Sequence, residues 1–187
     1  MVCGILPVLE PTRRFSVPTI GVGGVDVKYD EKTLSALISG QLPWAETKEI
    51  MSGGKDPDRF RMVLEIVQSM VSFTERILLP LGPHLYIVQK GTDRIVKCDC
   101  GYEFGDYRTN WKFMSRVFVR NSQESLQELY HPDQGVDPDW MELREFYCPG
   151  CFHLLETEAV PPGYPVMFDF QPDLETFYRD WLQQPLE

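Results

Sequence analysis

The chain has 187 residues, of which 43% are hydrophobic and 12% aromatic, so it is long and apolar enough to fold around a core. Its formal net charge of −10 argues against a general affinity for nucleic acids or anionic membranes. No apolar run approaches the roughly 18 residues of a membrane span, and the first residues do not have the pattern of a secretory signal. We therefore expect a cytoplasmic globular protein.

Residues 1–29 are predicted to form an extended arm. Pro7, Pro11 and Pro18 interrupt regular structure, and the glycines of GVGGVD follow them. Apolar side chains are nevertheless frequent in this segment, which favours a stretch that becomes ordered against a larger partner. The alternative is that the arm packs on its own domain. Residues 30–187 are predicted to be a single α+β domain.

Three helices are predicted after the arm. DEKTLSALISG has Asp30 as its N-cap and Gly40 just past its end, and PWAETKEIMSGG is stopped by two glycines. In the most regular helix, DPDRFRMVLEIVQSMV, Asp56 can act as the N-cap and Pro57 fits the first helical position. Its apolar stripe comprises Phe60, Val63, Leu64, Val67, Met70 and Val71.

Short segments rich in β-branched and aromatic residues follow, and this composition is typical of strands. The segments are HLYIVQK, RIVKCDC, SRVFVR, LREFYC and FHLLETE. The helix SQESLQELY, with Ser122 as its cap, interrupts them, and a last helix begins at Pro172 in QPDLETFYRDWLQQ. The predicted fold class is α+β: N-terminal helices, a small antiparallel sheet with an insertion, and a C-terminal helix.

Two pairs of cysteines lie in turns between strand-like segments. Cys98 and Cys100 enclose one aspartate, whereas Cys148 and Cys151 enclose a proline and a glycine. Each turn can present two sulfurs from one short piece of backbone, and four thiolates are the ligand set of a structural zinc ion. The sequence therefore predicts that these four cysteines bind zinc and join two hairpins as a zinc ribbon, inserted in the sheet at about residues 94–158.

Other uses of these cysteines fit the sequence less well. A disulfide framework requires an oxidising compartment, and a thioredoxin-like pair at Cys148 and Cys151 should open a helix rather than a strand. Four unrelated buried thiols are the plainest alternative, and the C-x-C spacing of the first pair is tighter than the usual C-x₂-C of ribbons. His153 is expected to be a surface or packing residue rather than a ligand, and the isolated Cys3 receives no role.

The segment from Arg94 to Arg120 has six basic and three acidic residues, against the acidic trend of the chain. We interpret it as a solvated face, or as a surface that docks onto an acidic partner. With its aromatic residues it also leaves a second function open, a zinc ribbon that binds nucleic acid or takes part in transcription. The net charge of −10 makes that alternative the less favourable one.

Motifs of catalysis are missing from the sequence. It contains neither a G-x-x-x-x-G-K-[ST] phosphate loop nor a G-x-S-x-G nucleophile motif. The three histidines, His84, His131 and His153, are scattered, and His84 is expected at a strand edge. No catalytic residue is therefore predicted, and a stand-alone enzyme is the least supported function.

Five segments of the chain match motifs that occur in the same order in one known family. They are ILLPLGPHLYIVQ, CDCGYEF, NWKFMSRVFVR, LREFYCPGC and PGYPVMFDFQPDLETFYRDWL. Over about residues 31–184 the chain resembles the gamma subunit of the acetone carboxylase family, the small subunit of ATP-dependent ketone carboxylases that include acetophenone carboxylase. The resemblance implies a zinc-binding accessory subunit without catalytic activity of its own.

The resemblance also implies zinc on Cys98, Cys100, Cys148 and Cys151, and a hetero-oligomer with larger, hydantoinase-like carboxylase subunits. ATP and a divalent metal are then expected on those partners and not on this chain, whose role is in structure and assembly. Neither nucleic acid nor a membrane is expected as a partner. The additional arm, and Phe152 where glycine is more typical, favour the acetophenone branch over the acetone branch.

Overall fold

The computed structural model describes residues 28–54, 56–131 and 134–186. Only residues 28 and 29 of the predicted arm fall within these ranges, and Cys3 lies outside them. The packing of the arm and the division into arm and domain therefore stay predictions.

Three helices open the described structure, as the sequence predicts. They are α1 (Glu31–Ile38), α2 (Trp44–Ser52) and α3 (Arg59–Met70). The side chain of Asp30 caps α1 by accepting a hydrogen bond from Thr33 N at 2.7 Å. Gly40 follows this helix with φ +70°, the left-handed conformation that favours glycine. Within the described residues, no helix is long and apolar enough to cross a membrane.

The start of α3 differs from the prediction. The N-cap is Asp58, and Pro57 lies in the turn before the helix. Asp56 instead holds that turn, because its carboxylate accepts hydrogen bonds from Asp58 N at 2.9 Å and Tyr29 N at 3.0 Å. At the other end of the stripe Met70 is 56% exposed, whereas Ile66 is buried.

The first four strands form one antiparallel sheet in the order β1-β2-β3-β4. Their bounds are β1 (Arg76–Gly82), β2 (Leu85–Lys90), β3 (Asp93–Cys98) and β4 (Glu103–Asp106). The sequence analysis missed β1 and β4. Pro80 lies in β1, which tolerates a proline because it is an edge strand with irregular register. The short strand β4 contains Gly105 at φ +96°, which breaks the alternating pattern.

A second antiparallel sheet has the order β5-β6-β7. Its strands are β5 (Arg116–Arg120), β6 (Glu142–Tyr147) and β7 (Leu154–Val160), and α4 (Gln123–Gln127) lies between the first two. Ser122 caps α4 as predicted, through a reciprocal capping box with Ser125. The α+β class is confirmed, with two small sheets in place of the single sheet expected.

The C-terminal segment is helical but differently wound from the prediction. A single turn, α5 (Leu174–Thr176), is capped by Asp173 and continues as a π-helical turn over Phe177–Trp181. In a π-helix the hydrogen bond spans five residues, as from Leu182 N to Phe177 O at 3.1 Å. This winding shifts the phase of the apolar face, and Trp181 is consequently 78% exposed.

The core lies on both faces of the four-stranded sheet. Successive residues of β2 alternate between the faces: Ile87 belongs to the larger cluster, with the second sheet and the C-terminal segment, whereas Val88 packs with Val67 of α3. The larger cluster consists of Leu78, Leu85, Ile87, Val96, Cys98, Phe104, Trp111, Phe146, Cys148, Leu155, Leu174 and Tyr178. Two of the predicted metal ligands are thus part of the core that joins the two sheets.

The basic segment Arg94–Arg120 does not form a bare cationic face. Five of its six basic side chains are paired with carboxylates: Arg94 with Glu175, Lys97 with Glu75 and Glu103, Arg108 with Asp106, Lys112 with Glu156, Glu158 and Asp169, and Arg120 with Glu128 and Glu145. Most of the positive charge of this segment is therefore neutralised within the chain, and little of it is left to attract an acidic partner or a nucleic acid.

Tyr178 ties the C-terminal segment to β1, and its loss should be measurable. Its hydroxyl donates to Leu78 O at 2.7 Å, and the residue is 1% exposed. We expect Tyr178→Phe to lower the free energy of unfolding by about 1–2 kcal/mol, because the buried carbonyl loses its partner. Urea denaturation measures this effect. Tyr164→Phe, at a half-exposed tyrosine, is the matched control; equal midpoints for the two variants would contradict the expectation.

Candidate metal centre

The two cysteine turns belong to different sheets and meet at the boundary between them. Cys98 ends β3 and Cys100 lies in the turn to β4, whereas Cys148 follows β6 and Cys151 precedes β7. Cys98 and Cys148 are 0% exposed, Cys151 is half-buried and Cys100 is exposed. Each turn therefore supplies one sulfur from the core and one from nearer the surface.

Backbone hydrogen bonds fix both turns. In the first turn Cys98 N donates to Tyr102 O at 2.9 Å, and Gly101, with φ +95°, donates to Cys98 O at 2.8 Å. In the second turn Phe152 N donates to Cys148 O at 2.9 Å, and Gly150 N points to Cys148 Sγ at 3.4 Å. Glycine is needed at residue 101 because other residues adopt this left-handed conformation at a cost.

The sulfur atoms are spaced as a tetrahedral metal ion requires. Cys98 Sγ lies 3.7 Å from Cys151 Sγ, and Cys100 Sγ lies 3.7 Å from Cys148 Sγ. All four sulfurs are within 4.8 Å of one another. Ligands about 2.3 Å from a tetrahedral zinc ion are about 3.8 Å apart, whereas a disulfide brings sulfurs to about 2.05 Å. The four cysteines could therefore bind a metal ion.

Burial of the site couples metal binding to deprotonation. Desolvation raises the pKa of the Cys98 thiol well above its ordinary value. This thiol also contacts the Asp99 carboxylate, with Cys98 Sγ to Asp99 Oδ1 at 3.2 Å. A cation among the sulfurs is consequently needed to keep this buried group as a thiolate, and binding would release its proton.

His153 lies beside this cluster but not among its four ligands. The sequence analysis includes it in the predicted strand FHLLETE, whereas β7 begins only at Leu154. Phe152 has φ +60°, and His153 Nδ1 is 3.7 Å from Asp99 Oδ1. Its side chain is half-exposed, as expected for a surface histidine.

A second group of polar side chains, missed by the sequence analysis, lies beside the cysteines. His84, Asp99 and His153 come from three separate turns, and His84 Nδ1 contacts Asp99 Oδ2. Burial opposes ionisation of Asp99, but hydrogen bonds from His84 and Cys98 outweigh it and hold the pKa of this carboxyl below its usual range. The only hint in the sequence was that Asp99 and His153 lie within two residues of a cysteine.

Lys112 forms a third cluster, which is internally paired. Its ammonium group contacts Glu156 at 2.7 Å, Glu158 at 2.5 Å and also Asp169. Burial disfavours the charge, but these carboxylates outweigh it and raise the pKa of Lys112. Because the ammonium group already occupies the space among the three carboxylates, we assign no metal to them.

Comparisons with known proteins show that the chain is similar to subunits of carboxylases. The sequence profile of the family described as "Acetone carboxylase gamma subunit" matches residues 71–182. The protein named "Acetone carboxylase gamma subunit" from Xanthobacter autotrophicus is 38% identical over 160 residues, which are 84% of this chain and 95% of that relative.

A second similarity is shorter. The "Acetophenone carboxylase beta subunit" of Aromatoleum aromaticum is 34% identical over 80 residues, which are 42% of this chain and 62% of that relative. Since the match to the acetone carboxylase relative is twice as long, the comparisons do not favour the acetophenone branch.

The packing around Gly150 gives a direct test of the cysteine geometry. A Cβ atom at this residue would lie 3.2 Å from Tyr102 Cβ and 3.3 Å from Cys100 Sγ. We expect Gly150→Ala to displace this sulfur and to weaken Co²⁺ binding by on the order of 1–2 kcal/mol, measured by competition with a chelator. Gly82→Ala is the control, because a Cβ there meets nothing within 4 Å. Equal affinities for both variants would contradict the geometry.

Proposed function

The chain belongs to the acetone carboxylase gamma-subunit family, and from this premise we propose that it is the non-catalytic, zinc-binding small subunit of an ATP-dependent ketone carboxylase. The observation that carries the proposal is the cluster of four cysteines at the junction of two hairpins, in a chain of this family. The relatives are named as subunits of carboxylases, so membership implies a hetero-oligomeric complex with other subunits.

Zinc is the ion that the donor set fits best. Four sulfur ligands in a tetrahedral arrangement favour zinc over harder ions such as Mg²⁺ or Ca²⁺, which prefer oxygen. Cys98, Cys100, Cys148 and Cys151 would hold the ion with no position left for a substrate. When bound, it supplies a crosslink between the two sheets and no Lewis-acid chemistry.

Free thiols also fit a reducing compartment, so we place the protein in the cytoplasm.

Catalysis is assigned to the partner subunits. We propose that ATP and a divalent metal bind to larger, hydantoinase-like chains, as the family resemblance implies. The carboxylates around the buried Lys112 are paired with its ammonium group. A small subunit without an active site acts through its contacts with the larger subunits. Its role is then to complete or stabilise the assembly that performs the carboxylation.

Exposed aromatic side chains offer a surface for those partners. Trp181 and Phe170 are 78% and 56% exposed, and they line one apolar groove with Leu79, Pro172 and Phe177. Aromatic residues in such positions concentrate binding energy at protein interfaces. Tyr178, in the same segment, belongs to the core.

The nucleic-acid alternative is not supported by any specific observation. Its basic segment is largely neutralised by internal ion pairs, among them the buried side chain of Lys112. Long-range attraction of a polyanion depends on unpaired positive charge, and the net charge of the chain is −10. The carboxylase subunit remains the function that we propose.

We expect the purified chain to retain one zinc ion through a mild chelator wash and Cys148→Ser to lose it. A missing thiolate removes one of four ligands and leaves the remaining buried sulfurs without their cation. Metal analysis after gel filtration measures the ratio of zinc to protein. Cys3→Ser is the control, because the sequence analysis assigns this isolated cysteine no role. Full zinc in Cys148→Ser, or none in the unmodified chain, would contradict the assignment.

The subunit role is tested by purification under native conditions. We expect larger chains to co-purify at moderate salt, and ketone-dependent ATP hydrolysis to require them. The homogeneous isolated chain should have no such activity, since catalysis is assigned to the partners. Turnover by the isolated chain, or its purification from the native source without any partner, would overturn the proposal.

A further inference from the structure

Three potential metal ligands lie directly beside the cysteine cluster and are not needed by it. We propose that His84, Asp99 and His153 form a second cation site, which takes a borderline divalent transition ion such as Zn²⁺. Each offers one donor atom, and the three atoms lie within 4.8 Å of one another. Two imidazoles and one carboxylate are a ligand set that binds such ions and leaves further coordination positions open.

One donor pair of this group is in hydrogen-bond contact, and the other is near the spacing of two ligands of one ion. His84 Nδ1 contacts Asp99 Oδ2, and His153 Nδ1 lies 3.7 Å from Asp99 Oδ1. The imidazole rings have centroids 4.2 Å apart and an interplanar angle of 40°. Donors about 2.0–2.1 Å from a tetrahedral ion are about 3.3 Å apart. For both pairs to hold one ion, the His84–Asp99 contact must therefore open by about an ångström and the His153–Asp99 distance must shorten by less than that.

Backbone strain is concentrated at this group. His84 has φ +63°, and Phe152, which immediately precedes His153, has φ +60°. Within the described ranges only one other non-glycine residue, Gln183, has positive φ. Such conformations are unfavourable for residues other than glycine and are retained where the surrounding structure enforces them, often at functional sites. Here both strained residues set the direction of an imidazole.

The turns that carry the cysteines also hold the two histidines. His84 O accepts a hydrogen bond from Asp99 N at 3.1 Å, and His153 O accepts one from Cys148 N at 3.0 Å. A metal ion among the four sulfurs would fix these turns and therefore the backbone of both histidines. The second site is thus preorganised by the first, which lowers the entropy lost when a second ion binds.

Charge also favours a cation at this position. Four thiolates around a divalent ion have a net charge of −2, and Asp99 adds a further negative charge beside them. The adjacent Lys97 cannot compensate, because it is engaged with Glu75 and Glu103. A divalent ion between Asp99 and the histidines would reduce this excess negative charge.

The second site differs from the first in its access to solvent. The side chains of His84 and His153 are 42% and 51% exposed, so positions not filled by protein are open to water. An oxygen or nitrogen donor from a bound molecule or a partner chain could occupy them. This second site rests on the proposed binding of a metal ion by the four cysteines, and it does not depend on a role in a carboxylase.

Titration of the full-length chain with Co²⁺ tests the second site. We expect two equivalents to bind, the first with thiolate-to-cobalt charge-transfer absorption and the second without it, because its donors are nitrogen and oxygen. His153→Ala should weaken the second equivalent about tenfold or more and leave the first intact. His84→Asn should do the same, and asparagine tolerates positive φ. His131→Ala is the control, since His131 belongs to neither cluster.

The thiolate absorption reports in each variant that the cysteine site has formed. A single equivalent in the unmodified chain would show that the three residues are only a hydrogen-bonded group, and would overturn the proposal. A second equivalent that binds equally well in His153→Ala and His84→Asn would also overturn it. Loss of the second equivalent in both variants, with the first retained, supports the site.

Discussion

The meeting of four sulfur atoms at one point is the constraint on which the rest of this structure depends. The sheets have four and three strands, and each is a separate hydrogen-bonded ladder. Their hairpin turns meet through Cys98 and Cys148, both fully buried in the core cluster that includes residues of both sheets. Without a cation this junction holds thiols whose burial opposes ionisation. A cation bound by the four thiolates would crosslink the two sheets at this junction and add to their hydrophobic packing.

The polar groups around this junction follow from its position. Lys112 is buried beside the ring of Phe146 and is balanced by carboxylates that include Glu156 and Glu158 of β7. An unpaired charge there would be costly, so this cluster stabilises the same boundary between the sheets by a different interaction. Asp99, in contrast, connects a cysteine turn to two histidines at the surface. The junction thus has a closed side that serves structure and an open side that can bind a ligand.

Much of this architecture can be predicted from local sequence patterns, because caps, helical stripes and cysteine turns act over a few residues. Asp30 and Ser122 cap helices as expected, and the two cysteine pairs come together. Features decided by distant contacts could not be predicted. Pro80 obscures β1, whose pairing with β2 is a tertiary property. The group around Asp99 forms only because three turns from separate parts of the chain converge.

One ion bound by the four cysteines is expected to stabilise both sheets together. Hydrogen–deuterium exchange of the chain before and after metal removal measures this effect, because exchange protection reports the stability of each strand separately. We expect the β3–β4 and β6–β7 hairpins to lose protection together when the ion is removed, with helix α1 affected least. Unchanged protection in both hairpins, or a loss confined to one of them, would contradict the claim.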